Sequence, residues 1–191
     1  MIGNERPVVH AGAVALDDVG VLLPGVSNAG KSTLTAALVR DGFGYLSEEG
    51  VAFEPGSPTM LPYPRPLTIS EAGLALFPDI ELDAPGVIGP WEGDWFVPAS
   101  VVRPGCVAGP TPVRVVIFPR YDPGAATTLT PISRAEAVRD LVANSIGYGD
   151  RMRPLLDHYA VVIDGCECHR LTTNDLGEAV GAVRGVVGAI I

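Results

Sequence analysis

The sequence predicts an α/β domain with a central mixed β-sheet, and three observations predict it. Residues 25–32 read Gly-Val-Ser-Asn-Ala-Gly-Lys-Ser, a glycine-flanked loop closing on Lys-Ser. An apolar segment leads into that loop and a segment of helical spacing leads out of it. Residues 113–118 (VRVVIF) are rich in β-branched side chains, as a buried strand requires. With 191 residues, 47% hydrophobic and 18% charged, the chain suits one domain, spanning 1–191, around a single packed core.

The elements follow in order. Residues 8–16 and 20–23 are apolar segments flanking Asp17 and Asp18, a β-hairpin whose second strand runs into Pro24 and Gly25. Residues 31–40 place Leu34, Ala37 and Leu38 on one helical face, and Gly42 supplies the stop. Residues 43–46 and 51–53 are predicted strands on either side of the corner Ser47-Glu48-Glu49. Residues 55–112 carry most of the prolines and many glycines, which favours short strands and ordered loops, with residues 94–98 (DWFVP) one candidate strand. Tyr63, Phe77, Trp91, Trp95 and Phe96 mark this stretch as packed structure, because linkers lack aromatic side chains. Ser133 with Glu136 three residues later is a capping box that opens a helix to about residue 145. Residues 160–163 are a further apolar segment, ending at Asp164. The last helix starts near Asp175, with Leu176, Ala179, Val180, Val183, Val187 and Ile190 as its apolar stripe.

Charge and composition exclude several partners. The formal net charge is −9 and no run of lysine and arginine occurs, so neither nucleic acid nor an anionic membrane is expected. The first residues, MIGNERPVV, lack the apolar core of a secretory signal, and no apolar run reaches the roughly 20 residues of a membrane span. Cys106, Cys166 and Cys168 make no disulfide framework for a chain this long, which points to a reducing cytoplasm. The sequence leaves a homo-oligomer open.

The loop carries the chemistry. Gly25, Val26, Ser27, Asn28, Ala29, Gly30, Lys31 and Ser32 fit G-x-x-x-x-G-K-[ST], with a strand before and a helix after. Glycines allow positive φ and close approach of backbone N–H groups to phosphate oxygens. Lys31 brings a point charge to the β- and γ-phosphates, and the Ser32 hydroxyl suits Mg²⁺. The residues therefore read as a P-loop for ATP with Mg²⁺, the cradle extending through Thr33. Such a site needs a carboxylate near the metal. Glu48 and Glu49 compete with Asp164, and the adjacent pair is preferred because two carboxylates can divide metal binding from proton transfer.

The segment VVHAGAVALDDVGVLLPGVSNAGKSTLTAALVRDGFGYLSEEGVAF resembles the nucleotide-binding core of HPr kinase/phosphorylase and its relatives. The segments LPYPRPLTIS, WFVPAS and VVIFPRYDPGA resemble an HPr-kinase-like subgroup common in actinobacteria. The resemblance implies the α/β fold of that enzyme's C-terminal domain and ATP-dependent transfer of a phosphoryl group to a hydroxyl. The acceptor would be a serine of a protein or peptide, or a small-molecule alcohol. It also implies residue roles: Glu48 as the base, Glu49 on the metal side beside Ser32, and His10 against the phosphates or the incoming hydroxyl. The family's acidic pair is usually two aspartates, and its glycine-rich signature segment and basic C-terminal loop are not found here. A nucleotide-binding regulatory protein without turnover is therefore the alternative. A GTPase lacks its Asn-Lys-x-Asp selector in this chain, and a phosphoenolpyruvate carboxykinase-like activity lacks room for a substrate domain.

Among other residues, Arg120 just past 113–118 and Arg65 in Tyr-Pro-Arg-Pro are candidates for phosphate contact. Cys166, Cys168, His169 and His158 do not have zinc spacing, and the cysteines suit a core-facing strand. Trp91 and Trp95 are read as packing residues rather than base-stacking ones.

Overall fold

The computed structural model describes residues 7–27, 29–147 and 152–191. The chain begins with β1 (Val8–Val9), β2 (Ala11–Leu16) and β3 (Val19–Pro24), then helix α1 (Lys31–Arg40), β4 (Gly44–Ser47) and β5 (Val51–Phe53). The proline-rich middle holds β6 (Thr59–Leu61), β7 (Leu67–Ser70), the single turn α2 (Glu71–Leu74), β8 (Ile88–Trp91), β9 (Asp94–Val97) and α3 (Ala99–Val102). The remainder is β10 (Thr111–Tyr121), β11 (Thr128–Pro131), α4 (Arg134–Ala143), α5 (Met152–Ile163), β12 (Glu167–Thr173) and α6 (Leu176–Gly188).

The main sheet is mixed, as the sequence predicts. β10 is its spine: it runs parallel to β3 through Val116↔Leu22 and parallel to β12 from Val115↔Glu167 to Tyr121↔Thr173. β2 is antiparallel to both β3 and β4. The first residues of β10 pair with β6, which continues through β5 to β1. β7, β9 and β8 form a separate three-stranded antiparallel sheet. The parallel trio β3, β10 and β12 therefore delivers its carboxyl ends side by side, where ligand sites of α/β sheets gather.

Local chemistry explains most elements. Asp17 adopts φ 51 in the two-residue turn joining β2 to β3, a conformation aspartate tolerates. The predicted strand over 8–16 breaks at His10. His10 N–H donates to Asn144 O at 2.8 Å while its carbonyl accepts from Gly25 N–H at 3.4 Å, so β1 turns away to pair with β5. At the other end of α1, Arg103 reaches three carbonyls: Nε bonds Val39 O at 2.8 Å, and Nη2 bonds Phe43 O at 2.7 Å and Gly42 O at 3.2 Å. The Ser133–Glu136 capping box forms in full at α4, and Asp175 caps α6 by accepting from Glu178 N–H at 2.8 Å.

The apolar segment 160–163 is not a strand end. It is the last turn of α5, whose Leu155, Tyr159, Val162 and Ile163 face inward at helical spacing. Four apolar residues fit either period, and the buried Leu155 and Tyr159 before them decide for the helix. Between Pro55 and Thr111, among the described residues, no helix exceeds four residues, in line with the proline content.

Side chains on the two faces of the sheet enter two cores. Val14, Val21, Leu23, Val115, Ile117 and Leu171 pack under α1, α6 and the smaller sheet. Ala13, Leu22, Val116, Phe118 and Cys168 pack under α4 and α5. Helix α1 lies so close to β2 that a Cβ on Gly12 would collide with Thr35 Oγ1. Among the described residues no helix is long and apolar enough to cross a membrane.

Candidate functional site

The turn from β3 into α1 occupies residues 25–30. Gly30 takes φ 87 at the helix N-cap, a left-handed conformation that favours glycine, and no side chain caps α1. The first-turn N–H groups, which no helix satisfies internally, therefore open toward the loop, an arrangement with the chemistry to receive an anion. Lys31, the first helical residue, is buried, and its Nζ donates to Val26 O at 2.8 Å across the loop. Burial lowers the Lys31 pKa, while the charges of Glu48 and Glu49 push it upward. Asn28 of the predicted cradle lies outside the described residues. Thr33 points along α1 toward the small turn α2, where it nears Gly73.

The acidic corner after β4 meets this helix end. Ser32 Oγ donates to Glu48 Oε2, and Glu48 Oε1 accepts from the Thr68 N–H of β7 at 3.2 Å. Glu48 is only 3% exposed. Burial raises its pKa above the ordinary 4.5, against the lowering effect of the Ser32 and Thr68 hydrogen bonds. Its neighbour points elsewhere. The Glu49 side chain is 49% exposed, and its Oε1 stands 3.8 Å from His10 Nε2. The backbone alternates at the end of β4, so the pair divides, one carboxylate inward onto α1 and the other outward toward the bend at His10. Burial, then the positive charge of Lys31, lower the His10 pKa below 6.5, and Glu49 opposes them.

Two cavities adjoin the loop. One, of about 480 Å³, is lined by His10, Ser27, Glu49, Asn144 and Ile146. The other, of about 390 Å³, lies between Gly25, Ser27, Arg120, Tyr121, Asp140 and Arg170. Both include Val26 and Ala143, so they meet beneath the loop. Arg120 is exposed there and pairs loosely with Asp122 at 3.5 Å. Tyr121, which the sequence gave no reason to single out, lines the same cavity.

Several other candidates fall away from this cluster. Asp164 ends α5 and pairs with Arg134 at 3.0 Å on the surface, so the competing metal carboxylate of the sequence reading belongs to a helix end. Arg65 is exposed, and its carbonyl accepts from the buried Tyr45 hydroxyl at 2.8 Å. His158 stacks edge-on against Phe53 at 5.3 Å. Burial pushes the Cys166 thiol up to about 12 and Cys168 to about 11, so neither offers a thiolate. Trp95 packs against the core beneath α1, whereas Trp91 is exposed on β8.

Among the described residues no three His, Cys, Asp or Glu side chains gather into a metal cage. Mg²⁺ does not demand one, because it keeps waters and takes one or two protein oxygens beside phosphate. The Ser32 hydroxyl and the buried Glu48 carboxylate are the hard oxygen donors such an ion takes.

The chain matches no family model, and no curated protein matches it. Among solved structures, the HPr(Ser) kinase/phosphatase from Coxiella burnetii is similar with a TM-score of 0.46 at 15% sequence identity, covering 96% of this chain and 92% of that chain.

Proposed function

We propose that this protein is an ATP-dependent phosphotransferase that moves the γ-phosphoryl group of ATP to a hydroxyl, on a protein or peptide serine or on a small alcohol. The observation that carries the reading is the meeting of Ser32 with Glu48 one helical step from Lys31, at the uncapped N-terminus of α1. Residues 25–33 would cradle the triphosphate as a P-loop, with backbone N–H groups and Lys31 neutralising its charge. Ser32 and Glu48 would hold Mg²⁺, which draws charge from the phosphates when bound.

The roles of the two glutamates are better exchanged relative to the family-based expectation. Glu48 is buried against Ser32 and has no room for an acceptor, which suits the metal side. Glu49 is open to the larger cavity beside His10, which suits a base. In the transfer, Glu49 takes the proton of the acceptor hydroxyl. The oxygen forms its bond to the γ-phosphorus, and the bond to the β-bridging oxygen breaks with its electron pair leaving on ADP. His10, kept neutral by its surroundings, orients Glu49 or the hydroxyl.

The test is transfer of label from [γ-³²P]ATP, with Mg²⁺, to serine peptides and small alcohols, alongside nucleotide binding by calorimetry. Lys31→Ala is expected to weaken binding and lose transfer. Glu49→Gln is expected to keep binding and lose transfer. Binding by the unaltered chain with no transfer to any hydroxyl would favour the regulatory alternative, and absence of both would end the reading.

A further inference from the structure

We propose that Tyr121 is the platform on which the nucleobase of the bound nucleoside triphosphate stacks. The inference rests on the reading of residues 25–33 as the phosphate cradle and extends that site toward the base. An extended triphosphate held at one end by Lys31, Ser32 and Glu48 must leave the cradle at the other. Glu48 follows β4, which lies beyond β2 on one side of β3, while β10 adjoins β3 on the opposite side. The nucleoside therefore leaves toward the end of β10, and Tyr121 is the last residue of that strand.

Tyr121 is held against the loop. Its N–H donates to Ala29 O at 3.3 Å, and its Cβ stands 3.6 Å from where a Cβ on Gly30 would lie. Strand alternation sets the direction of its ring. Ile117 belongs to the core beneath α1, and Tyr121, four residues later, shares that face; Arg120 shares the face of Phe118, beneath α4. The ring thus rises beside the uncapped end of α1, where the phosphates would sit. The chain turns away directly afterwards, with Asp122 N–H bonded to Thr173 O at 2.9 Å and Asp122 Oδ1 accepting from Gly124 N–H at 3.1 Å.

Of the two aromatic residues lining the adjoining cavity, Phe118 is buried and Tyr121 is 57% exposed. No ring contact or side-chain hydrogen bond joins Tyr121 to another described residue. An open aromatic face, on a backbone tied to the loop beside the uncapped helix end, fits a flat heterocycle joined to a phosphate chain. Stacking tolerates any base, because every base presents a π-face.

The test compares ATP·Mg²⁺ with inorganic tripolyphosphate·Mg²⁺ by calorimetry on the full chain and on Tyr121→Ala and Tyr121→Phe. Tyr121→Ala is expected to weaken ATP binding by about five- to one-hundred-fold while leaving tripolyphosphate unchanged, and Tyr121→Phe to retain ATP affinity. Equal weakening of both ligands would show that Tyr121 only props the loop, and no weakening of either would remove it from the site; both results overturn the platform while the phosphate cradle stands. An unaltered chain that binds neither ligand overturns the cradle and the platform together.

Discussion

Ser32 and Glu48 are sixteen residues apart and share a hydrogen bond, the hydroxyl of the first turn of α1 donating to a carboxylate delivered by β4. The other oxygen of that carboxylate is held by the backbone of β7. One buried acid thus ties together the helix after the loop, the main sheet and the smaller sheet. Its burial is a standing cost to the fold and an advantage to a cation.

Glu48→Gln tests that cost. A folded-state pKa raised above 4.5 means that the native state binds the proton more tightly than the unfolded state. Stability from this group is then complete below pH 4.5 and is lost as the pH rises through the folded value. Glutamine keeps the shape without the charge. The variant is expected to melt above the unaltered protein at pH 8, with the gap closing as pH falls to 4.5, and to lose Mg²⁺-dependent nucleotide binding. A lower melting temperature at pH 8 would contradict the assignment.

Glu49→Gln tests the contact with His10. Glu49 is the influence that raises the His10 pKa against burial and Lys31. Its removal is expected to move the His10 titration, followed by NMR, further below 6.5. An unmoved titration would mean that the two side chains do not interact in solution.

Lys31→Ala removes the charge at the mouth of the loop. Hydrogen bonds to charged groups contribute about 1.5–3 kcal/mol, so the dissociation constant for ATP·Mg²⁺ is expected to rise about 10- to 150-fold. Calorimetry reads it directly, and unchanged affinity would place the triphosphate elsewhere.

Arg103→Ala separates stability from binding. Arg103 satisfies the carbonyls of Val39, Gly42 and Phe43 at the far end of α1. Its loss is expected to destabilise the protein by about 1.5–3 kcal/mol in urea unfolding. ATP affinity is expected to stay within about twofold, because the proposed phosphate cradle lies at the other end of α1.

Strong local signals in the chain match the elements they specify. The two-aspartate turn, the helix after Lys31, the Ser133 capping box and the Asp175 start of α6 each depend on residues within four positions, so sequence alone reports them. Residues 160–163 are undecided in the sequence because four apolar side chains satisfy a helix or a strand equally. The bend at His10 was invisible, since it follows from hydrogen bonds to Asn144 and Gly25, partners far along the chain or across a turn.

The sequence by itself determined the residue types at the candidate site: a glycine-bounded loop, Lys31, Ser32, two adjacent carboxylates and a histidine. Tertiary structure decided how they divide. It turned Glu48 inward onto Ser32 and Glu49 outward toward His10, retired Asp164 to a helix end, and brought Tyr121 to the loop from some ninety residues away. The physical reason is that spacing along a chain fixes which atoms are local, whereas burial, strand order and register fix which distant atoms share a dielectric and can exchange a hydrogen bond, a charge or a proton.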